Sequence, residues 1–281
     1  MADTTERAAG PGTLHIVSTP IGNLGDLTYR AVEVLRSVSA ILAEDTRHTR
    51  RLLDHYQIAA PSVAYHEHNE ARATPALVAR LLAGESFALV SDAGTPLLSD
   101  PGARLVRAAL DAGVRVSPVP GASALLSALV SSGLDATRFT YFGFLARKGR
   151  ERSAAVAAIA ALAHTAVLYE APGRVAATLA ELAAAGGATR QTVVARELTK
   201  QFEEVRRGTL GELAAYYDES TPRGEVVIVI AGQVAGRASA DELRDVARAL
   251  KEQGLAPRDV ARVLADEHGA ARNAAYRLAH E

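Results

Sequence analysis

The chain has 281 residues, 48% hydrophobic and 22% charged, with no cysteine and a formal net charge of −1. The missing cysteine excludes disulfides, thiolate metal sites, iron–sulfur clusters and cysteine nucleophiles, and it fits a reducing, cytoplasmic setting. The near-neutral balance excludes a molecule that grips nucleic acid by bulk charge, and no apolar run approaches the ~18 residues of a membrane span.

Residues 1–12 are small and polar, lack an apolar signal core, and read as a disordered tail. A short buried strand over 14–18 runs into the turn Ser-Thr-Pro-Ile-Gly-Asn-Leu-Gly-Asp (18–26). Helical spacing follows over 28–38, with Thr28 as N-cap. The next segments read as strand 40–43, helix 46–56, strand 62–65, helix 74–83, strand 87–90, helix 101–112 and strand 114–119. This alternation predicts a parallel sheet with crossover helices. After Pro120 the pattern changes, and a domain boundary is expected there. A small-residue helix over 123–131 precedes a strand over 139–144, a basic turn (147–152) and an alanine-rich helix. Strands are predicted at 165–169, 191–197, 203–208 and 225–231, with helices near 174–185 and 210–217. Neighbouring strands without a helix between them predict a mixed sheet. Residues 233–239 read as a linker, and three helices are expected over 241–253, 257–267 and 271–280. These last helices fit either a small nucleic-acid-binding bundle or a cap on the main body.

Common nucleotide loops are missing. No G-x-G-x-x-G opens a helix after a strand, and there is no Walker loop. Gly121-Ala122-Ser123-Ala124-Leu125 lacks the last glycine of a nucleophile elbow. His66 and His68 would share one face of a strand, but no convincing third ligand is nearby, so no metal is expected. Three strand-end turns carry the positive signal: 18–26, Ser-Asp-Ala-Gly-Thr-Pro (91–96) and Val-Pro-Gly-Ala-Ser-Ala-Leu (119–125). At the edge of a parallel sheet they can line one crevice. Their backbone amides suit a carboxylate, and Asp92 suits an ammonium or ribose hydroxyls. Each turn alone also fits a plain tight turn.

Arg47, Arg50 and Arg51 fall on one helical face. With Arg147, Lys148, Arg150 and Arg152 they can grip phosphates, although a charge run also fits a solvated face. Tyr141, Phe142 and Phe144 beside the basic turn offer stacking surface, with at least half of them expected in the core.

STPIGNLGD, AEDTRHTRRLL (43–53), YHEHNE (65–70), SDAGTPLLSDPG (91–102), PGASALLSAL, FGFLARK, LYEAPGR (168–174), RELTKQFEEVRRG and GEVVIVIAG form an ordered set. It resembles the bacterial small-subunit (16S) rRNA cytidine 2′-O-methyltransferases of the tetrapyrrole-methylase superfamily. The resemblance runs from about residue 14 to 232 and extends to Arg272-Asn273-Ala274-Ala275-Tyr276 near the end. It implies two α/β domains of the tetrapyrrole-methylase type (13–120, parallel sheet; 121–232, mixed sheet) and a small helical segment (239–281). It also implies S-adenosylmethionine in the interdomain cleft, a homodimer, and methylation of a cytidine ribose in the decoding region of the small ribosomal subunit. Porphyrin-modifying relatives carry a Gly-x-Gly-Pro-Gly-Asp-like first loop, where this chain has Ser18-Thr19-Pro20-Ile21-Gly22-Asn23. By position, the cofactor contacts fall on Pro20, Asp92, Ala93, Gly94, Thr95, Ser123 and Ala124, and more weakly on Ala195.

Methyl transfer to a ribose hydroxyl gains from a nearby base or cation. The candidates are Lys200 with Glu197, and Asp45 beside the first-domain arginines. Each also fits ion pairing within strands and helices. Two rival readings stand beside the resemblance: a small-molecule methyltransferase acting on a tetrapyrrole-like macrocycle, and a non-catalytic RNA-binding assembly protein.

Overall fold

The computed structural model describes residues 10–233, 240–266, 268 and 270–281. Most of the expected tail (1–9) and most of the expected linker (234–239) lie outside the described residues.

The first sheet is built from β1 (Thr13–Val17), β2 (Ala40–Ala43), β3 (Ser62–Ala64), β4 (Phe87–Val90) and β5 (Arg115–Val119). Its order is β3-β2-β4-β1-β5, and every pairing is parallel. Crossover helices α1 (Tyr29–Ser37), α2 (Thr46–His55), α3 (Glu70–Leu82) and α4 (Ala103–Asp111) alternate with the strands. Both faces are covered. Val17, Ile41, Ala43, Ala88 and Val90 pack toward Ala31, Leu35, Leu52 and Leu53 of α1 and α2. Leu14, Leu42, Phe87 and Leu89 pack toward Leu77, Leu81 and Leu105 of α3 and α4. Burial on two sides explains why β2 and β4 read as unbroken apolar runs. The helix expected from 74 begins earlier, at Glu70. Pro75 looks like a helix start but sits inside, and the Thr74 hydroxyl donates to the Glu70 carbonyl (2.7 Å) in the turn before it.

The second sheet uses β6 (Phe139–Phe144), β7 (Thr165–Glu170), β8 (Gln191–Arg196), β9 (Glu204–Thr209) and β10 (Val226–Ile230), in the order β6-β7-β10-β8-β9. Only β6 and β7 run parallel; the other pairings are antiparallel. Helices α6 (Arg150–Ala161), α7 (Val175–Gly186) and α8 (Leu210–Glu219) contribute to the core on one face. The other face packs on α5 (Ala124–Ser132) and on Ile21, which reaches over from the turn after β1. That shared cluster joins the two sheets. Arg190 is buried in this domain without a carboxylate partner among the described residues. Its guanidinium donates to the carbonyls of Ile159, Ala160, Leu162 and Ala231 (2.6–3.3 Å). The basic segment expected as a turn over 147–152 is cut short: α6 starts at Arg150, so Arg150 and Arg152 are helical.

The last helices, α9 (Ala240–Glu252), α10 (Pro257–Asp266) and α11 (Arg272–His280), pack on one another around Leu243, Ala247, Val260, Leu264 and Ala275. No helix among the described residues is long and apolar enough to cross a membrane.

Candidate cofactor cleft

A parallel sheet sends the carboxyl ends of its strands to one edge, and there the turns after β1, β2 and β4 meet. They are stitched together by short bonds. Thr19 and Gly94 exchange backbone hydrogen bonds (2.8 and 3.0 Å). The Thr19 hydroxyl donates to the Ser91 carbonyl (3.1 Å). The Thr95 hydroxyl contacts Ser18 Oγ (2.9 Å) and donates to the Ala122 carbonyl (3.1 Å), which brings in the third turn. Gly94 sits at φ 80, a conformation that suits glycine. Asp92 Oδ1 accepts from the Asp45 amide (3.1 Å) and so ties the β4 turn to the β2 turn.

The opposite wall comes from the second sheet. Because β10 is antiparallel to β7, the start of one lies beside the end of the other. Tyr169 and Glu170 at the end of β7 thus stand beside Gly224, Glu225 and Val226. Between the walls is a cleft of about 450 Å³. Of the expected cofactor contacts, Asp92, Ala93, Gly94, Thr95 and Ala124 line it. Pro20 immediately precedes the lining residue Ile21. Ser123 is buried as the N-cap of α5, accepting from the Leu126 amide (3.4 Å). Ala195 is fully buried in β8 opposite Val227, so its strand lies behind β10 as seen from β7.

Sequence reasoning missed several lining residues, among them Glu44, Ser99, Asp100, Tyr169 and Glu225. Asp100 is delivered by a turn in which Leu97 (φ 74) and Ser99 (φ 70) both adopt left-handed backbone. That turn docks on the second sheet. Ser99 Oγ and Tyr141 Oη are 2.7 Å apart, and Gly143, in the irregular stretch of β6, leaves room for the serine. Burial first, then the charge of Glu44, pushes the Asp100 carboxyl up to about 6. Burial and Asp92 push Glu44 upward too, with His66 opposing. Burial raises the Tyr169 phenol strongly, and its Oη accepts from the Leu125 amide (3.2 Å).

The proposed catalytic groups separate. Asp45 is the N-cap of α2, and the Arg47 guanidinium and the Arg47 and His48 amides hold its carboxyl down to about 2. That leaves it a poor base at neutral pH. Lys200 donates to Glu197 Oε1 (2.8 Å) and Glu225 Oε2 (3.2 Å). Burial works against its ammonium, but the two carboxylates outweigh it and keep the pKa raised. The same Lys200 hydrogen bond lowers Glu197. The lysine stem lies over Gly22 of the first turn, where a Cβ would come within 2.3 Å of it.

Arg47, Arg50 and Arg51 are exposed on α2, with Arg47 paired to Asp45 and Arg50 to Asp54. Arg147, Lys148 and Arg150 are exposed as well. Arg152 is largely covered and donates to Glu181, Thr178 and the Ala146 carbonyl, which uses it up inside the domain. Of the three aromatics, Phe144 is exposed in the cleft, while Phe142 packs against the second-domain core. The rings of His66 and His68 lie 6.0 Å apart, and no cluster of three His, Asp or Glu among the described residues could hold a metal ion.

The chain is 51% identical to ribosomal RNA small subunit methyltransferase I of Synechocystis sp., over 87% of this chain and 88% of the relative. It is 52% identical to the protein of that name from Xylella fastidiosa, over 86% and 90%. Diphthine synthase superposes with a TM-score of 0.62 at 16% identity, covering 79% of this chain and 90% of that one. Uroporphyrin-III C-methyltransferase from Thermus thermophilus, complexed with S-adenyl homocysteine, gives 0.56 at 20% identity, covering 78% and 97%. These two likenesses speak for the fold. The model of the tetrapyrrole (corrin/porphyrin) methylases matches residues 13–214, from the first strand of the first sheet into α8 after β9 of the second, and the chain belongs to that family.

Proposed function

We propose that the protein transfers a methyl group from S-adenosylmethionine to the ribose 2′-hydroxyl of a cytidine in 16S rRNA, in the decoding region of the small ribosomal subunit. The observation that carries this reading is identity over half with two rRNA small subunit methyltransferases across nearly nine-tenths of the chain. Bound in the cleft, S-adenosylmethionine supplies a methyl group activated on a sulfonium. The volume suits a small-molecule pocket of about 300–1,000 Å³. The backbone of residues 92–95 and the nearby carboxylates suit its amino-acid end and ribose hydroxyls.

The chain's own work is alignment. The stitched turns fix one wall, and holding oxygen, methyl and sulfur in line can contribute several kcal/mol. Lys200, kept protonated, is fitted to hold a substrate oxygen or phosphate and not to accept a proton. Arg47, Arg50, Arg51, Arg147, Lys148 and Arg150 supply phosphate contacts, and exposed Phe144 supplies a ring on which a base can stack. Leu126 and Val130, exposed on α5, give a homodimer an apolar contact, and the protein works where ribosomes do, in the cytoplasm.

The test is methyl incorporation into small subunits, free 16S rRNA and a tetrapyrrole, with the modified nucleotide mapped. A single 2′-O-methylcytidine is expected. Incorporation into the macrocycle alone would overturn the reading. Lys200→Ala should lower turnover with donor binding unchanged, and light scattering should report a dimer.

A further inference from the structure

The three C-terminal helices share a core of their own, whose buried members all come from α9, α10, α11 and the turn before α11. Their hydrogen bonds and salt bridges among the described residues also stay within them. Lys251 of α9 donates to the Leu278 carbonyl of α11 (3.0 Å) and ties that helix to the bundle. None of the residues lining the cleft comes from these helices. Their charges are distributed unevenly. On α9, Arg244 pairs with Asp241 (2.7 Å) and Arg248 with Asp245 (3.5 Å), and on α10 Arg262 pairs with Asp259 (3.6 Å). Helix α11 contains no acidic residue, and among the described residues neither Arg272 nor Arg277 forms a salt bridge. Arg272, Asn273, Tyr276, Arg277 and His280 are all exposed. At about 100° per residue these five fall on one side of the helix, while Ala275 and Ala279 bury another. Tyr276 is 62% exposed, and its ring lies against His280 with centroids 4.4 Å apart. A lone exposed tyrosine is ordinary. A tyrosine set between two unpaired arginines and an amide, on a face without a carboxylate, is a set of groups that meets phosphates and stacks on a base.

We propose that this face of α11 is a second RNA-binding surface, which grips a segment of the substrate RNA that does not enter the cleft. The inference rests on the reading that the substrate is rRNA. Charge complementarity selects the occupant: a polyanion meets two arginines here and no like charge. Arg272 and Arg277 give up no partner to bind a phosphate, whereas Arg47 and Arg50 of α2 must leave Asp45 and Asp54 to do so. The Tyr276 ring takes an unstacked base, and the Asn273 amide offers a donor and an acceptor to a base edge. The bundle is separate from the cleft, so these contacts hold the substrate and the transition state alike. They therefore lower KM and leave kcat alone.

The triple variant Arg272→Ala/Tyr276→Ala/Arg277→Ala of the full chain tests this. KM for small subunits and Kd for free 16S rRNA should each rise about tenfold or more, the scale of losing one stacked base with its phosphate contacts. The kcat and the affinity for S-adenosylmethionine should hold. The slope of log Kd against log salt should become shallower by about 1–2. Arg272→Lys/Arg277→Lys keeps the charge and should keep that slope. Arg244→Ala/Arg248→Ala removes two paired arginines from α9 and should leave KM where it was. An unchanged Kd for 16S rRNA in the triple variant, or an equal loss in the α9 variant, overturns the inference and leaves the enzyme reading intact. A raised KM on subunits with an unchanged Kd for free RNA gives the face to a ribosomal protein and overturns it too. A wild-type protein that neither binds nor methylates RNA overturns both. Free 16S rRNA should also slow amide hydrogen exchange in α11 of the wild-type protein. That measurement needs no variant, and unslowed exchange overturns the inference.

Discussion

The two sheets meet the cleft in opposite ways. The first is parallel, so its turns arrive at one edge, and it leaves its cleft carboxylates without cations. The second is mainly antiparallel, brings strand ends and strand starts to the same edge, and pairs its carboxylates: Glu170 with Arg174, and Glu197 and Glu225 with Lys200. The paired wall is built to hold its shape. The unpaired wall carries like charges that burial makes costly, as the raised Glu44 and Asp100 carboxyls reflect.

The comparison breaks hardest at Arg174. Glu170 has no exposed side-chain surface, although it also accepts from Thr178 (2.6 Å) and the Ala171 amide (2.8 Å). Arg174→Ala leaves a buried charge unpaired and should cost about 3–5 kcal/mol in urea unfolding, with much of the loss recovered by Glu170→Gln. Gly224→Ala comes next. Gly224 sits at φ 82, and an added Cβ would fall 2.1 Å from Glu197 Oε1. A loss of about 2 kcal/mol is expected, with a weakened Lys200–Glu197 pair.

Asp100→Asn should move the other way. The folded pKa lies above the ordinary carboxylate value, so ionisation costs stability above about pH 6, and the cost disappears as pH falls toward about 4. The variant should gain about 1–2 kcal/mol near neutral pH, a figure reduced for solvent screening, and nothing in acid. Thermal melts at both pH values check the sign. The smallest effect belongs to Arg47→Ala, whose pair with Asp45 is solvent-exposed, so urea unfolding should be essentially unchanged.

Much of this architecture was readable in the chain. Short apolar runs such as Ala40–Ala43 and Phe87–Val90, each followed by a turn and a helix, marked a parallel sheet. The closeness of 191–196 and 204–209, with no helix between, marked the mixed one. One wall of the cleft was readable for the same reason, since parallel strands all point their turns the same way. The other wall was not. Gly224 and Glu225 reach the cleft only because β10 runs against β7, and strand direction is not written in the local pattern. Asp100 lay within the motif 91–102 but beyond the turn 91–96 read as a binding loop, and Leu97 and Ser99 gave no sign of left-handed backbone. Arg152 read as part of a basic run because its partner Glu181 lies 29 positions away.

The Ser99–Tyr141 contact makes the acidity of the cleft depend on its width. Any change that breaks this hydroxyl pair should loosen the turn that carries Asp100, let water reach the carboxyl and bring its pKa back toward the ordinary carboxylate value.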